Sequence, residues 1–146
     1  MNWIDETRRK AFEHRVHGAP VESRGHGRDL DRLLPENVKE RALPTGNELI
    51  LSYEDALTAV AIANQHKIAV LGFDAGEIQE EGFQASEFTG YDDEVEFIGD
   101  WNYFLSQMNA RAERWIKEHP LPKNHGYILT SVSQEEFLQL ARSRRS

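Results

Sequence analysis

The stretch EIQEEGFQASEFTGYDDEVEFIGD, Glu77 to Asp100, carries nine carboxylates and four aromatic rings, with no lysine or arginine. Carboxylates at this density repel one another, so a metal ion, a basic partner or plain water must offset the cost. Paired Asp and Glu can do acid–base work, as in glycosidases, or hold magnesium or calcium. The order YDDEVE lacks the D-x-[DN]-x-[DN]-G spacing of a calcium loop. A docking surface for a basic protein asks instead for aromatic anchors ringed by polar groups. Phe83, Phe88, Tyr91 and Phe97 lie among the charges in that manner. A solvated face that aids solubility is the plainer reading, but such a belt needs no phenylalanines. Some of these rings must face the core, because strands bury alternate residues.

Other reactive residue types form no recognisable centre. His14 and His17 have the H-x-x-H spacing that places two imidazoles on one helix face, and His26 follows in a loop. A zinc site needs more ligands and a supporting shell, and the H-E-x-x-H pattern is absent. His66, His119 and His125 sit at element ends, where imidazoles bond to terminal carbonyls. HGRDLDRLL and LGFDAGEI carry glycines but fit neither a Walker nor a dinucleotide pattern. LGFDAGEI has anionic surroundings that would repel a nucleotide. No serine stands in a nucleophile elbow. With no cysteine in the chain, thiol catalysis, disulfides and zinc–thiolate sites are excluded. No catalytic residue, metal ligand or cofactor is assigned.

The 146 residues, 39% of them hydrophobic, are enough to bury a core, and one compact domain is expected. No apolar run is long enough to span a bilayer, and MNWIDETRRK is not a secretory signal. The expected compartment is the cytoplasm. The formal charge of −8 is concentrated. Residues 74–110 hold ten Asp/Glu and no Lys/Arg, whereas the flanking segments are close to neutral or positive. Such a balance disfavours nucleic acid and anionic membranes, and it attracts basic proteins if the charges share one surface.

The elements that would position these groups follow from periodicity. IDETRRKAFEHRV reads as an amphipathic helix through Ile4, Phe12 and Val16, followed by a glycine-rich loop. RDLDRLLPENVKERAL offers one or two short helical turns, with Pro35 as a first helical residue. LPTGNE reads as a turn. Ser52 and Asp55 open the helix YEDALTAVAIANQHK in the manner of a capping box. That helix is apolar nearly all round at Leu57, Val60, Ala61 and Ile62. KIAVLGFD is a buried strand. Residues 82–98 form a hairpin or two, with the turn near TGYDD and with Glu94 and Glu96 on the wet face. Asp100 caps a helix whose Trp101, Phe104, Leu105, Met108, Ala112, Trp115 and Ile116 make one stripe. GYILTSV is a second core strand, and Ser133 with Glu136 caps a last helix. The expected fold is α+β: a small, mainly antiparallel sheet packed by helices, with residues 1–47 as an N-terminal helical arm and residues 48–146 as the core.

In their order, LSYEDALTAVAIANQHKIAVLGFDA, the acidic hairpin, DWNYFLSQMNARAERWIKEH and YILTSV resemble the immunity protein 40 family of bacterial polymorphic-toxin systems. The shared features are AVLGFD from Ala69 to Asp74, Trp101, the Trp115–Ile116 pair, and Tyr127 to Leu129. The resemblance spans roughly residues 48–133. The family's tryptophan in the strand before the long helix is replaced here, at Val95 or Phe97. What the resemblance implies is a non-enzymatic protein that binds one cognate toxin and blocks its active site. A toxin that cuts nucleic acid holds phosphates in a basic cleft, and a carboxylate-rich inhibitor imitates that polyanion. The expected contacts are Glu80, Glu81, Asp92, Asp93 and Glu94, pairing with toxin Lys/Arg, with Tyr91 as the central anchor. The N-terminal arm is a second possible source of the interface. The rival readings are a carboxylate- or metal-dependent hydrolase and an acidic adaptor.

Overall fold

The computed structural model describes residues 28–80, 82–89 and 97–145, with the side chains of 28, 87–89 and 140–145 left aside. The helical stretch expected at residues 4–16, with His14, His17 and His26, lies outside the described residues, as do Glu81, Tyr91, Asp92, Asp93, Glu94, Val95 and Glu96.

Two short helices come first, α1 (Arg28–Leu33) and α2 (Glu36–Arg41). Pro35 stands between them with extended backbone, φ −58° and ψ 153°, so it is the residue before α2 and not its first helical one. Leu30, Leu34, Val38 and Ala42 recur every four residues and are all buried. That spacing puts them along one side of the α1–α2 segment, which packs into the main core.

LPTGNE is more than a turn. It joins β1 (Leu43–Thr45) to β2 (Glu48–Ile50) in a two-stranded hairpin, with Gly46 at φ +58° supplying the left-handed step. The boundary expected at residue 47 therefore falls inside a hairpin turn. Helix α3 (Tyr53–Gln65) follows, with the Ser52 hydroxyl accepting from the Asp55 amide. Only one arm of the capping box is of the expected kind, because the Asp55 carboxylate is held by Arg41. The guanidinium donates from Nε to Oδ2 at 3.0 Å and from Nη2 to Oδ1 at 2.8 Å. These bonds hold the Asp55 pKa below its ordinary value against the opposing effect of burial. On α3, Ala56, Ala59, Val60 and Ala63 are buried while Ala61 is exposed. The helix is thus one-sided, not sandwiched.

The sheet runs β4 (Gly82–Thr89), β3 (Ala69–Gln79), β5 (His125–Val132), antiparallel throughout. The expected strand KIAVLGFD continues through AGEIQ to Gln79, and the turn begins at Glu80, ahead of TGYDD. Helix α4 (Trp101–Glu118) and helix α5 (Gln134–Arg145) complete the chain. Asp100 caps α4 through the Tyr103 amide. Ser133 and Glu136 make both arms of the capping box of α5. The architecture is α+β, a small antiparallel sheet packed by helices, with short helices ahead of it.

Two apolar clusters divide the work. Val70, Phe73, Ala75 and Tyr127 pack with α3 and the C-terminal half of α4. Ala69, Leu71 and Val132 pack with Trp101, Phe104, Met108 and Phe137. Leu71 is the extra residue of a bulge in the β3–β5 register. Among the described residues β4 pairs only from Phe73 onward, short of the Val70 amide. Asn109 of α4 takes it: Oδ1 accepts from Val70 N at 2.7 Å, and Nδ2 donates to the Ile68 carbonyl at 2.9 Å. One buried side-chain amide thus satisfies a backbone donor and a backbone acceptor at the start of β3.

Candidate functional site

The first acidic residues of the midsection ride on the β3–β4 hairpin, and its tip is braced from three sides. The Ile78 amide donates to the Asn124 carbonyl at 2.6 Å, tying β3 to the turn before β5. Gln79 Nε2 donates across the hairpin to Gln84 Oε1 at 2.7 Å and along its own strand to Glu77 Oε1 at 3.2 Å. Ser86 is the extra residue of a β4 bulge and donates its hydroxyl to the Ala75 carbonyl. Gly76 is required here because a Cβ would meet the Gln84 carbonyl and the Ala85 Cα. Gly76 of LGFDAGEI therefore serves the close pairing of β3 with β4.

Two carboxylates project from this end. Glu77 and Glu80 are exposed, and neither joins an ion pair among the described residues. The described pairs lie elsewhere, for instance Arg41–Asp55 and Lys117–Glu113. The surface charge is smaller than the sequence count of ten, however. Asp74 is fully buried in the middle of β3 and engaged within the fold, whereas Asp100, the helix cap, is exposed. Strand alternation explains the first: Asp74 shares a sheet face with its register partner Ile128, itself buried.

The rings also divide. Phe97 packs edge-on against Phe104 and Phe137, at centroid separations of 5.6 and 5.1 Å, and so belongs to the core. Phe83 is half-buried on β4. Of the six expected contact residues, Glu80 is the one within the described part; Glu81, Tyr91, Asp92, Asp93 and Glu94 lie outside it.

Glu80 borders a cleft that sequence reasoning missed. The tips of the β1–β2 and β3–β4 hairpins face one another across about 440 Å³, with Leu43, Pro44, Ile50 and Ile78 as apolar lining, Thr45 and Gln79 as polar lining, and Glu80 as the one charged residue among those described. Gly126 of β5 makes the cleft possible. A Cβ there would meet the Ile50 Cγ2 and lie 3.5 Å from the Ile78 Cδ1, so both isoleucines close over a bare backbone. The Leu51 and Tyr127 amides and carbonyls bond reciprocally, each at 2.8 Å, which seats β2 beside β5. Reading LPTGNE as a plain turn concealed this arrangement. The signal that would have found it is GN between two apolar dipeptides, a hairpin cue.

Histidines behave as terminal caps. His119 Nδ1 is 2.8 Å from the Trp115 carbonyl, and His125 Nδ1 is 2.9 Å from that of Lys123. Among the described residues no three His, Asp or Glu gather as metal ligands, and no helix is long and apolar enough to cross a membrane. Comparison with protein-family models, with curated proteins and with solved structures finds no match to this chain.

Proposed function

We propose that this chain is a cytoplasmic immunity protein that binds a basic toxin domain, such as a nuclease, and inhibits it through its acidic midsection. One observation carries the reading. The hairpin end bearing Glu77 and Glu80 is braced by hydrogen bonds, and neither carboxylate joins an ion pair among the described residues, in a 37-residue stretch without lysine or arginine. Charge left uncompensated on a fixed scaffold favours encounter with a cationic partner, and steered association reaches roughly 10⁸–10⁹ M⁻¹s⁻¹ at low salt. The resemblance to the immunity protein 40 family points the same way. In this reading Glu80, Glu81, Asp92, Asp93 and Glu94 meet toxin lysines and arginines, and Tyr91 anchors the centre.

The test is protection. The toxin domain encoded beside this gene is expressed from an inducible promoter, with and without this chain. Growth is expected only when the chain is present, and it should fail with Asp92→Lys/Asp93→Lys at equal protein level. Growth arrest that this chain does not relieve would remove the reading.

A further inference from the structure

We infer that the cleft between the two hairpin tips receives a large apolar side chain of the basic partner, with a neighbouring lysine or arginine meeting Glu80. The inference rests on the proposed toxin-binding function and assigns it a place on the surface.

The chemistry of the lining selects this occupant. Leu43 is 45% exposed on a three-residue strand, an aliphatic side chain left half in water at the mouth of the cleft. Ile50 and Ile78 supply an apolar floor over Gly126, with no side chain of β5 rising between them. About 440 Å³ is room for one or two large side chains and too little for a helix. Among the described residues no lysine, arginine or histidine lines the cleft, and Glu80 on its rim is exposed and joins no ion pair. Thr45 and Gln79 add polar groups to the lining, so the cleft is mixed. Its aliphatic part complements an apolar residue and its rim carboxylate an adjoining cation, and it repels the same residue beside a carboxylate. Apolar anchors seated in pockets and ringed by polar contacts carry most of the energy of protein interfaces. The walls are also preformed: the Gln79–Gln84 brace and the Ile78–Asn124 bond fix one tip, and the reciprocal Leu51–Tyr127 bonds fix the other. Little order need be gained on binding.

The probes are three synthetic peptides, Gly-Lys-Leu-Lys-Gly, Gly-Lys-Ala-Lys-Gly and Gly-Glu-Leu-Glu-Gly, titrated to millimolar concentration into the full ¹⁵N-labelled chain. The Lys-Leu-Lys peptide is expected to shift the amides of Leu43, Gly46, Ile78 and Gly82. The alanine peptide should bind at least about tenfold more weakly, and the glutamate peptide should shift nothing. Thr45→Trp, which fills the cleft from β1, should abolish the response while leaving the remaining amide spectrum in place. If the alanine peptide binds as well as the leucine one, the cleft has no apolar occupant and the inference falls, while the acidic reading stands. If the glutamate peptide binds equally well, charge plays no part and both fall. Absence of any shift with all three overturns the inference.

Discussion

Ile50 lies over Gly126 so closely that a methyl group added to the glycine would strike the isoleucine Cγ2 and stand 3.0 Å from the Leu51 carbonyl. The contact seats the β1–β2 hairpin on β5 and shapes the cleft at once. Gly126→Ala should therefore destabilise the fold by about 1–3 kcal/mol through overpacking. Urea unfolding reads this as a lower midpoint at unchanged slope. An unchanged midpoint would mean that Ile50 yields freely and does not define the cleft floor.

Gly76 sets a harder constraint. There an added Cβ meets backbone on β4, the Gln84 carbonyl and the Ala85 Cα, which cannot rotate aside. Gly76→Ala is expected to cost more than Gly126→Ala and to act locally. Hydrogen exchange should show lost protection along β4 while the Val70 and Tyr127 amides stay protected. Uniform loss across the sheet would contradict a local hairpin role.

Asn109 satisfies two buried backbone groups, so its removal should be expensive. Asn109→Leu would strand the Val70 amide and the Ile68 carbonyl, both bonded to it in a buried site. At about 1–3 kcal/mol per stranded group, a loss of about 2–5 kcal/mol is expected by chemical denaturation. A loss below about 1 kcal/mol would show that water or a shifted backbone satisfies both groups.

The Arg41–Asp55 pair makes a pH prediction. Asp55 in the folded chain has its pKa lowered, chiefly by the Arg41 hydrogen bonds. On acidification the unfolded chain takes up its proton first, near pH 4 or roughly so. The pair's contribution is therefore present above the unfolded pKa and fades as pH falls through the folded one. Arg41→Met should lower the thermal midpoint at pH 7, and the gap to the parent should narrow steadily below about pH 4. A gap independent of pH would assign the effect to packing of the Arg41 stem.

Much of the scaffold was legible because its signals are local. The Asp100 cap, the stripe from Trp101 to Ile116 and the Ser133–Glu136 box each depend on residues within one or a few turns, and each stands as expected. What eluded sequence reading depends on distant partners. Asp74 looks like one more surface carboxylate until strand register places it beside Ile128 in the interior. Gly76 resembles a loop glycine until the approach of Gln84 shows why it is bare. Asp55 looks like a capping-box acid, yet Arg41, fourteen residues earlier, claims its carboxylate. The cleft needs two hairpins 35 residues apart to face each other, as the lining from Leu43 to Gly46 and from Ile78 to Gly82 shows, and no periodicity encodes that. Of the expected contacts, Glu80 is exposed in a turn just after β3, earlier in the chain than TGYDD.

The central claim, that the midsection's negative charge serves a cationic partner, is tested most directly by calorimetry against the adjacent-gene toxin domain at about 0.05 M and 0.5 M salt. Tight binding is expected at the lower salt and clear weakening at the higher. Glu80→Lys/Asp92→Lys/Asp93→Lys should weaken it by about a hundredfold or more, with unfolding of the free chain unchanged. Equal affinity of parent and charge-reversed chains at both salt concentrations would contradict it.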